Sequence, residues 1–333
     1  MKFIRISLGV LLSICVLTTT FYGYKHINYV NPEFQKVEYK GLVILWHVDT
    51  FEGGKGSRRQ FLLDYSRKFE SKNKGLKIMV INHSLTSLEQ AFSSGEKPDI
   101  ISFGQGVNVN GLISLDIKTE QLGGVVNDKT YAIPWCRGGY NLIVKSSSKI
   151  DLFDTSFNKL IVSQTEYSCP LTALALENVT ATEVMVKQPL DAYVDFVTYN
   201  DLVLLGTQRD VIRLENRGVE VMVKPLTSYN DLYQYVGITC SDKTKLDISK
   251  EFVNYLLSAS VQKSLDKIGM LSATERVDYQ NQHLVSMQNQ GGFSTISVFS
   301  SKANIKQMQN LGLQGVKGQK DATNKLKNLL SLS

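Results

Sequence analysis

The first clear pattern of apolar positions is a short branched run at 41–45, which ends in aromatic and polar residues between Trp46 and Thr50. Such a run is typical of a buried strand. A glycine-rich turn follows at 52–56, and apolar residues then recur at helical spacing from Phe61 to Glu70. We therefore predict a strand, a loop and a helix in succession, with polar side chains where the strand ends.

The same order of patterns recurs twice further along the chain. Alternation predicts a strand over 76–81, a capped helix follows over 84–92, and a third strand with a proline at its entry occupies 97–103. Strands alternating with helices predict a parallel sheet and the α/β class. Ligands of open α/β sheets bind beyond the carboxyl ends of the strands, where Trp46, Asp49 and Glu52 would lie.

Composition narrows the possible functions. The chain has 333 residues, 43% of them hydrophobic and 20% charged, which is enough for two compact lobes. Its net charge of +6 is spread along the chain without a basic cluster, so we expect no nucleic-acid partner. The glycine loop at 52–56 does not match a phosphate-binding P-loop, because Lys55 is followed by Gly56 instead of Ser or Thr.

The amino-terminal residues predict a membrane-targeting segment. Lys2 and Arg5 precede a charge-free stretch from Ile6 to Tyr24, which the chain would use to cross a membrane. An uncleaved anchor, a cleaved signal peptide and a lipoprotein acylated at Cys15 remain open, with the anchor favoured because its positive charges lie on the inner side. We expect an extracytoplasmic domain, held at the outer face of the cell membrane or secreted.

The reactive residues show no catalytic or metal-binding spacing. The histidines have no second ligand at metal spacing, and we expect neither a metal nor a cofactor. No Ser/His/Asp or Cys/His arrangement and no carboxylate pair stands out, so we expect no enzymatic activity.

Three stretches carry a family resemblance. These are the strand ending in Trp-His-Val-Asp at 46–49, the segment Glu-Lys-Pro-Asp-Ile-Ile-Ser at 96–102, and Tyr-Ala-Ile-Pro-Trp at 131–135. Together they resemble extracellular solute-binding proteins, the receptor subunits of ABC importers, in the carbohydrate-type branch. Similar stretches follow in the family's order at 192–196, 201–211, 233–240 and 250–265.

The resemblance covers roughly 42–272 and implies a two-lobed, periplasmic-binding-protein-like α/β fold. Each lobe would be a mostly parallel sheet flanked by helices, with crossing strands at the hinge. The segment between Phe103 and Lys129 is shorter than is common in the family, and the tail from Asp278 is unmatched, apart from a helix predicted over 320–332. The expected divisions are a leader at 1–24, a linker at 25–40, the first lobe at 41–135, the second lobe at 136–236, and the return to the first lobe with the carboxyl-terminal helices at 237–333.

The resemblance implies a binding site for a small solute, most simply a sugar or oligosaccharide. Such a site needs aromatic faces to stack on the sugar ring and polar groups for its hydroxyls. The candidates are Trp46, Asp49, Glu52, Trp135, Arg137, Tyr140, Arg209, Asp210 and Tyr229. His47 would point to the opposite face from Trp46 and play a structural role.

The implied function is the substrate-binding component of an ABC importer, a monomer that delivers its solute to a membrane permease. The alternative is a membrane-anchored sensor or interaction ectodomain with the same fold. Peptides and polyamines remain open as ligands, since Asp49 and Glu52 would suit a cation. Cys136 and Cys240 fall on the presumed crossing strands, where they could form a disulfide or remain free thiols.

Overall fold

The computed structural model describes residues 39–117, 122–274, 276–289 and 294–331. The predicted leader and most of the predicted linker lie outside these residues. These described residues form a compact unit. Across the described ranges, no helix is both long enough and apolar enough to span a membrane.

Strands and helices alternate through the first two thirds of the chain, and helices dominate the last third. The strands are β1 (Gly41–Val48), β2 (Leu76–His83), β3 (Ile100–Phe103), β4 (Val125–Val126), β5 (Lys129–Thr130), β6 (Ile133–Arg137), β7 (Tyr140–Lys145), β8 (Ser156–Ser163), β9 (Thr180–Lys187), β10 (Val203–Thr207), β11 (Val221–Pro225) and β12 (Tyr233–Ile238). The α-helices are α1 (Arg58–Lys72), α2 (Leu85–Ser93), α3 (Pro170–Leu176), α4 (Pro189–Thr198), α5 (Gln208–Asn216), α6 (Lys243–Leu257), α7 (Ala259–Gln262), α8 (Gln282–Gln288), α9 (Lys302–Val316) and α10 (Lys320–Ser331). Short 3₁₀ helices lie at Leu122–Gly124 and Lys263–Ile268.

The first lobe is built on a five-stranded sheet in the order β2-β1-β3-β12-β6. β1 runs parallel to both β2 and β3, whereas β12 is antiparallel to β3 and β6. On this sheet, Trp46, Phe103 and Tyr235 belong to one buried apolar cluster. The predicted strands at 76–81 and 97–103 and the helix between them are present.

The second lobe is built on a five-stranded sheet in the order β11-β7-β10-β8-β9. β8 is parallel to β9 and β10, and β7 is antiparallel to β10 and β11. Its core includes Ile143, Ile161, Tyr193, Phe196 and Leu204.

The predicted two-lobed α/β class is confirmed, but each sheet is mixed instead of mostly parallel. β7 and β12 run against their neighbours. Parallel neighbours are made by a strand, helix and strand crossover, whereas β7 and β12 enter their sheets directly from the other lobe. The chain leaves the first sheet after Arg137, enters the second at Tyr140, and returns at Tyr233.

The carboxyl-terminal helices divide between the lobes. Helix α6 packs on α1 of the first lobe, whereas α9 and α10 pack on α3 of the second. The hydroxyl of Thr172 in α3 donates to the Met308 carbonyl in α9 at 3.2 Å. The terminal helix predicted at 320–332 is present as α10. Residues from the end of the chain therefore complete the second lobe.

Candidate functional site

A cavity of about 600 Å³ lies between the two lobes. The first lobe lines it with residues 49–57, the loop that joins β1 to α1. The second lobe contributes Thr165, which follows β8, and Arg209 in the first turn of α5. The cavity thus lies beyond the carboxyl ends of strands from both sheets, where ligands of open α/β sheets bind.

Two glycines of the loop, Gly54 and Gly56, pack closely against the chain at Ile268 and Gly269. A Cβ on Gly54 would lie 2.0 Å from the Gly269 carbonyl oxygen, so only glycine fits there. The amide of Lys55 donates to the Ile268 carbonyl at 2.9 Å, and Ser57 caps α1 by accepting from the Gln60 amide. These contacts hold the first-lobe wall of the cavity in place.

An ion pair joins the lobes across the cavity. Nη1 of Arg209, on the second lobe, contacts Oε2 of Glu52, on the first lobe. A capping box between Thr207 and Asp210 fixes the start of α5 and so places Arg209. Because the partners come from different lobes, this pair exists only while the lobes are closed.

Asp49 lies at the edge of the cavity with its charge already paired. It accepts hydrogen bonds from His47 Nε2 at 3.0 Å and from Arg58 Nε at 2.8 Å. Burial raises the pKa of Asp49, but the His47 hydrogen bond and the charge of Arg58 outweigh it and hold that pKa well below its usual range. Asp49 is therefore ionised and anchored to the first lobe at neutral pH.

His47 links Asp49 to the core through Ser102. The Ser102 hydroxyl accepts from Trp135 Nε1 at 3.0 Å and from Gln234 Nε2 at 3.1 Å, so its own proton is directed to His47 Nδ1 at 3.1 Å. Burial lowers the pKa of His47, which keeps the ring neutral with its remaining proton on Nε2, facing Asp49. Ser102 is 0% exposed, so this Ser-His-Asp chain cannot present a nucleophile to a solute. His47 is buried, as predicted.

Both tryptophans lie inside the first lobe. The Trp46 ring packs against His83 and Phe92, with centroid distances of 4.4 and 5.4 Å. Trp135 is 0% exposed and stacks on Phe61 at 5.6 Å. Neither ring lines the cavity. Each tryptophan follows an apolar run in the sequence. An aromatic residue at such a position can be buried in the lobe as readily as it can be exposed to a ligand.

Four further candidates lie in the interior near the crossings. Arg137 donates to the Met287 carbonyl at 3.2 Å, and Asp210 accepts from the Thr207 amide. The hydroxyls of Tyr140 and Tyr229 both donate to Asp231, at 2.5 and 3.1 Å. All four are buried. Of the nine predicted residues, the structure brings Asp49, Glu52 and Arg209 together at the cavity.

Thr165 on the second lobe also lines the cavity, although it was not among the predicted site residues. The Tyr167 ring packs on Gly106 of the first lobe, where an added Cβ would lie 2.2 Å from the ring. Gly106 also lines a second cavity of about 560 Å³, formed mainly by apolar side chains, with Glu89 and Lys302 among its lining residues. Thr165 follows the end of β8 just as Asp49 follows β1, so the same strand-end rule would have identified it.

Within the described ranges, no group of three or more His, Cys, Asp or Glu side chains is placed to hold a metal ion. Cys136, Cys169 and Cys240 are free and buried. Of the two alternatives for Cys136 and Cys240, the structure therefore has free thiols.

No protein-family model and no curated protein matches the chain. Solved structures do match. The sugar-binding protein MalE from Xanthomonas citri is 14% identical, with 88% of this chain and 98% of that chain covered and a TM-score of 0.61. The GacH receptor of Streptomyces glaucescens, described with acarbose, is 13% identical over 89% and 98% of the two chains, with a TM-score of 0.57. The maltose/maltodextrin-binding domain MalE from Bdellovibrio bacteriovorus, bound to maltotriose, is 12% identical over 88% and 99%, with a TM-score of 0.52.

These similarities confirm the predicted resemblance at the level of the fold. The chain has the two-lobed fold of carbohydrate-type solute-binding proteins. At these identities the comparison shows the fold alone, so any ligand has to be argued from the cavity.

Proposed function

We propose that the protein is an extracytoplasmic solute-binding protein that closes its two lobes on a saccharide and presents it to an ABC permease. The cavity between the lobes carries this proposal, because first-lobe and second-lobe residues line it together. A solute there would contact both lobes at once and favour the closed form over the open one.

Two observations support a saccharide. The structural neighbours include proteins described with acarbose and with maltotriose. In this chain, the cavity wall offers the hydroxyls of Thr50, Ser57 and Thr165, and Phe51 is an aromatic residue of the same wall. Hydroxyls and charged groups suit the polar edge of a sugar, and an aromatic face suits its apolar face.

The proposal also includes a location outside the cytoplasm. The charge-free stretch at 6–24 supports attachment to the membrane or export across it, and hence a location outside the cytoplasm. We infer that the protein acts as a monomer, with the permease as its partner. The expected activity is reversible binding, so a bound saccharide should be recovered chemically unchanged.

Thermal unfolding of the purified protein with a panel of saccharides, amino acids and polyamines tests this proposal. A ligand at about 100 times its dissociation constant adds about 2.7 kcal/mol to the free energy of unfolding, which raises the melting temperature by several degrees. Thr165→Ala, which removes a hydroxyl from the second-lobe wall of the cavity, should reduce that rise. Thr198→Ala is the matched control, since Thr198 is exposed on the second lobe and does not line the cavity.

The panel can also refute the proposal. Stabilisation by amino acids or polyamines alone would rule out a saccharide receptor. A well-folded protein that responds to no solute would favour the alternative, an ectodomain that binds a membrane partner.

A further inference from the structure

The charges around the first cavity do not cancel. Asp49 is paired with Arg58, whose Nη2 lies 2.6 Å from the carboxylate, and Glu52 is paired with Arg209. Lys55 also lines the cavity, and no described carboxylate pairs with it. The four charged residues that line the cavity sum to zero, and the buried Arg58 behind Asp49 adds one positive charge, so the groups around the cavity carry a net positive charge at neutral pH.

The helices around the cavity add to this positive potential. Ser57 lines the cavity and caps the fifteen-residue helix α1, and Arg209 lies in the first turn of the nine-residue helix α5. The amino-terminal end of a helix carries a partial positive charge. Arg58 is 2% exposed, and its Nη1 has no hydrogen-bond partner among the described residues. Its guanidinium lies against Asp49 and Phe51, which both line the cavity.

Glu52 shows which chemical group fits Arg209. Its carboxylate reaches across from the opposite lobe and contacts the guanidinium inside the cavity. A guanidinium matches the planar geometry of a carboxylate. A ligand carboxylate could thus take the place of Glu52 on Arg209, while Lys55 would supply a second positive charge nearby.

A cationic ligand fits the same surroundings poorly. Asp49 already accepts from two donors, and Glu52 is already paired. A polyamine would have to displace a guanidinium from a carboxylate while lying close to Lys55. The charge balance therefore argues against the cationic ligands that the sequence left open.

We propose that the ligand is an acidic saccharide, a sugar or oligosaccharide bearing a carboxylate that binds Arg209 and Lys55 in the first cavity. This inference rests on the proposed function and specifies its substrate class. Glu52 acts as an internal competitor, which occupies Arg209 in the ligand-free closed form and is displaced by the ligand carboxylate.

Calorimetric titration with paired probes tests the inference. The probes are trigalacturonate and triguluronate, each beside its methyl ester, which removes the charge and keeps the sugar, with neutral maltotriose and a sulfated trisaccharide as further arms. The acid should bind at least about tenfold more tightly than its ester. Arg209→Gln should bring this ratio close to one. Lys159→Gln, which removes a positive charge from β8 away from the cavity, is the matched control and should preserve the ratio.

Glu52→Gln tests whether removing the internal carboxylate strengthens or weakens the binding of an acidic ligand. Without its internal competitor, Arg209 should bind the acid several-fold more tightly, whereas a cationic ligand would bind more weakly to the same variant. Equal affinity for acid and ester, weaker acid binding to Glu52→Gln, or a preference for the sulfated trisaccharide would each overturn the inference. Binding of neutral saccharides without acid preference would overturn it and leave the proposed function standing. Failure of every saccharide to bind would refute both.

Discussion

Asp231 is expected to make the stability of this protein depend on pH. The carboxyl group lies just before β12, where the chain returns to the first lobe, and it is 4% exposed. Burial raises the pKa of Asp231 to about 6, although hydrogen bonds from Tyr140, from the Cys169 amide and from Tyr229 favour the charged form. The folded protein thus holds this proton at pH values where the unfolded chain has lost it.

The size of the effect follows from the two pKa values. The ordinary value of 3.8 rises to about 6 on folding. At about 1.4 kcal/mol for each tenfold change in an equilibrium constant, this rise corresponds to about 3 kcal/mol. The stabilising contribution is complete below pH 3.8, falls as the pH rises through about 6, and is absent above that value.

Urea unfolding of the wild type and of Asp231→Asn across this range isolates the contribution. The amide introduced by this substitution cannot ionise, so the variant should gain about 2.5 kcal/mol relative to the wild type between about pH 4 and about pH 7.5. The variant and the wild type are compared at each pH, so the contributions of the other titrating groups to stability cancel. These groups include His47, whose pKa is lowered by burial. The altered hydrogen bonds of the variant change its free energy of unfolding by the same amount at every pH. They therefore do not change how the stability difference between variant and wild type depends on pH. A stability difference that stays constant with pH would refute the reasoning.

Two substitutions test the packing at the site and beneath it. Gly106→Ala should cost about 1–3 kcal/mol more in urea unfolding than Gly95→Ala, because both glycines have a φ of +81° but only Gly106 would place a Cβ 2.2 Å from Tyr167. Equal losses would mean that the ring does not pack on Gly106. Trp135→Phe should cost about 1 kcal/mol beyond its lost volume, because the indole donor to the buried Ser102 is removed. No loss of stability in this variant would contradict the hydrogen-bond network around Ser102.

The fold was predictable because the first lobe follows local rules. The alternation at 76–81, the cap before 85–93 and the proline before β3 each act within a few residues, and the corresponding elements are present. The directions of β7 and β12, which run antiparallel to their neighbouring strands, were not predictable in this way. They depend on the lobe from which the chain enters each sheet. No local pattern encodes that information.

The site was only partly predictable for a similar reason. Asp49 and Glu52 were found because they follow a strand end, and the same rule would have found Thr165. Trp135 in the middle of β6 and Tyr140 at the start of β7 are instead buried by partners distant in the sequence, namely Phe61 and Asp231. Residues distant in the sequence therefore determine whether a side chain near the end of a strand is exposed to a ligand or buried.

The packing of α9 on the second lobe affects how the protein folds during synthesis. Gln309 in α9 donates to the carbonyls of Thr165, Glu166 and Ser168, the segment that carries the second-lobe wall of the cavity. That wall lacks its support until residues 302–316 have left the ribosome. The second-lobe wall of the cavity is therefore completed only after a helix that lies more than 140 positions further along the chain has been synthesised.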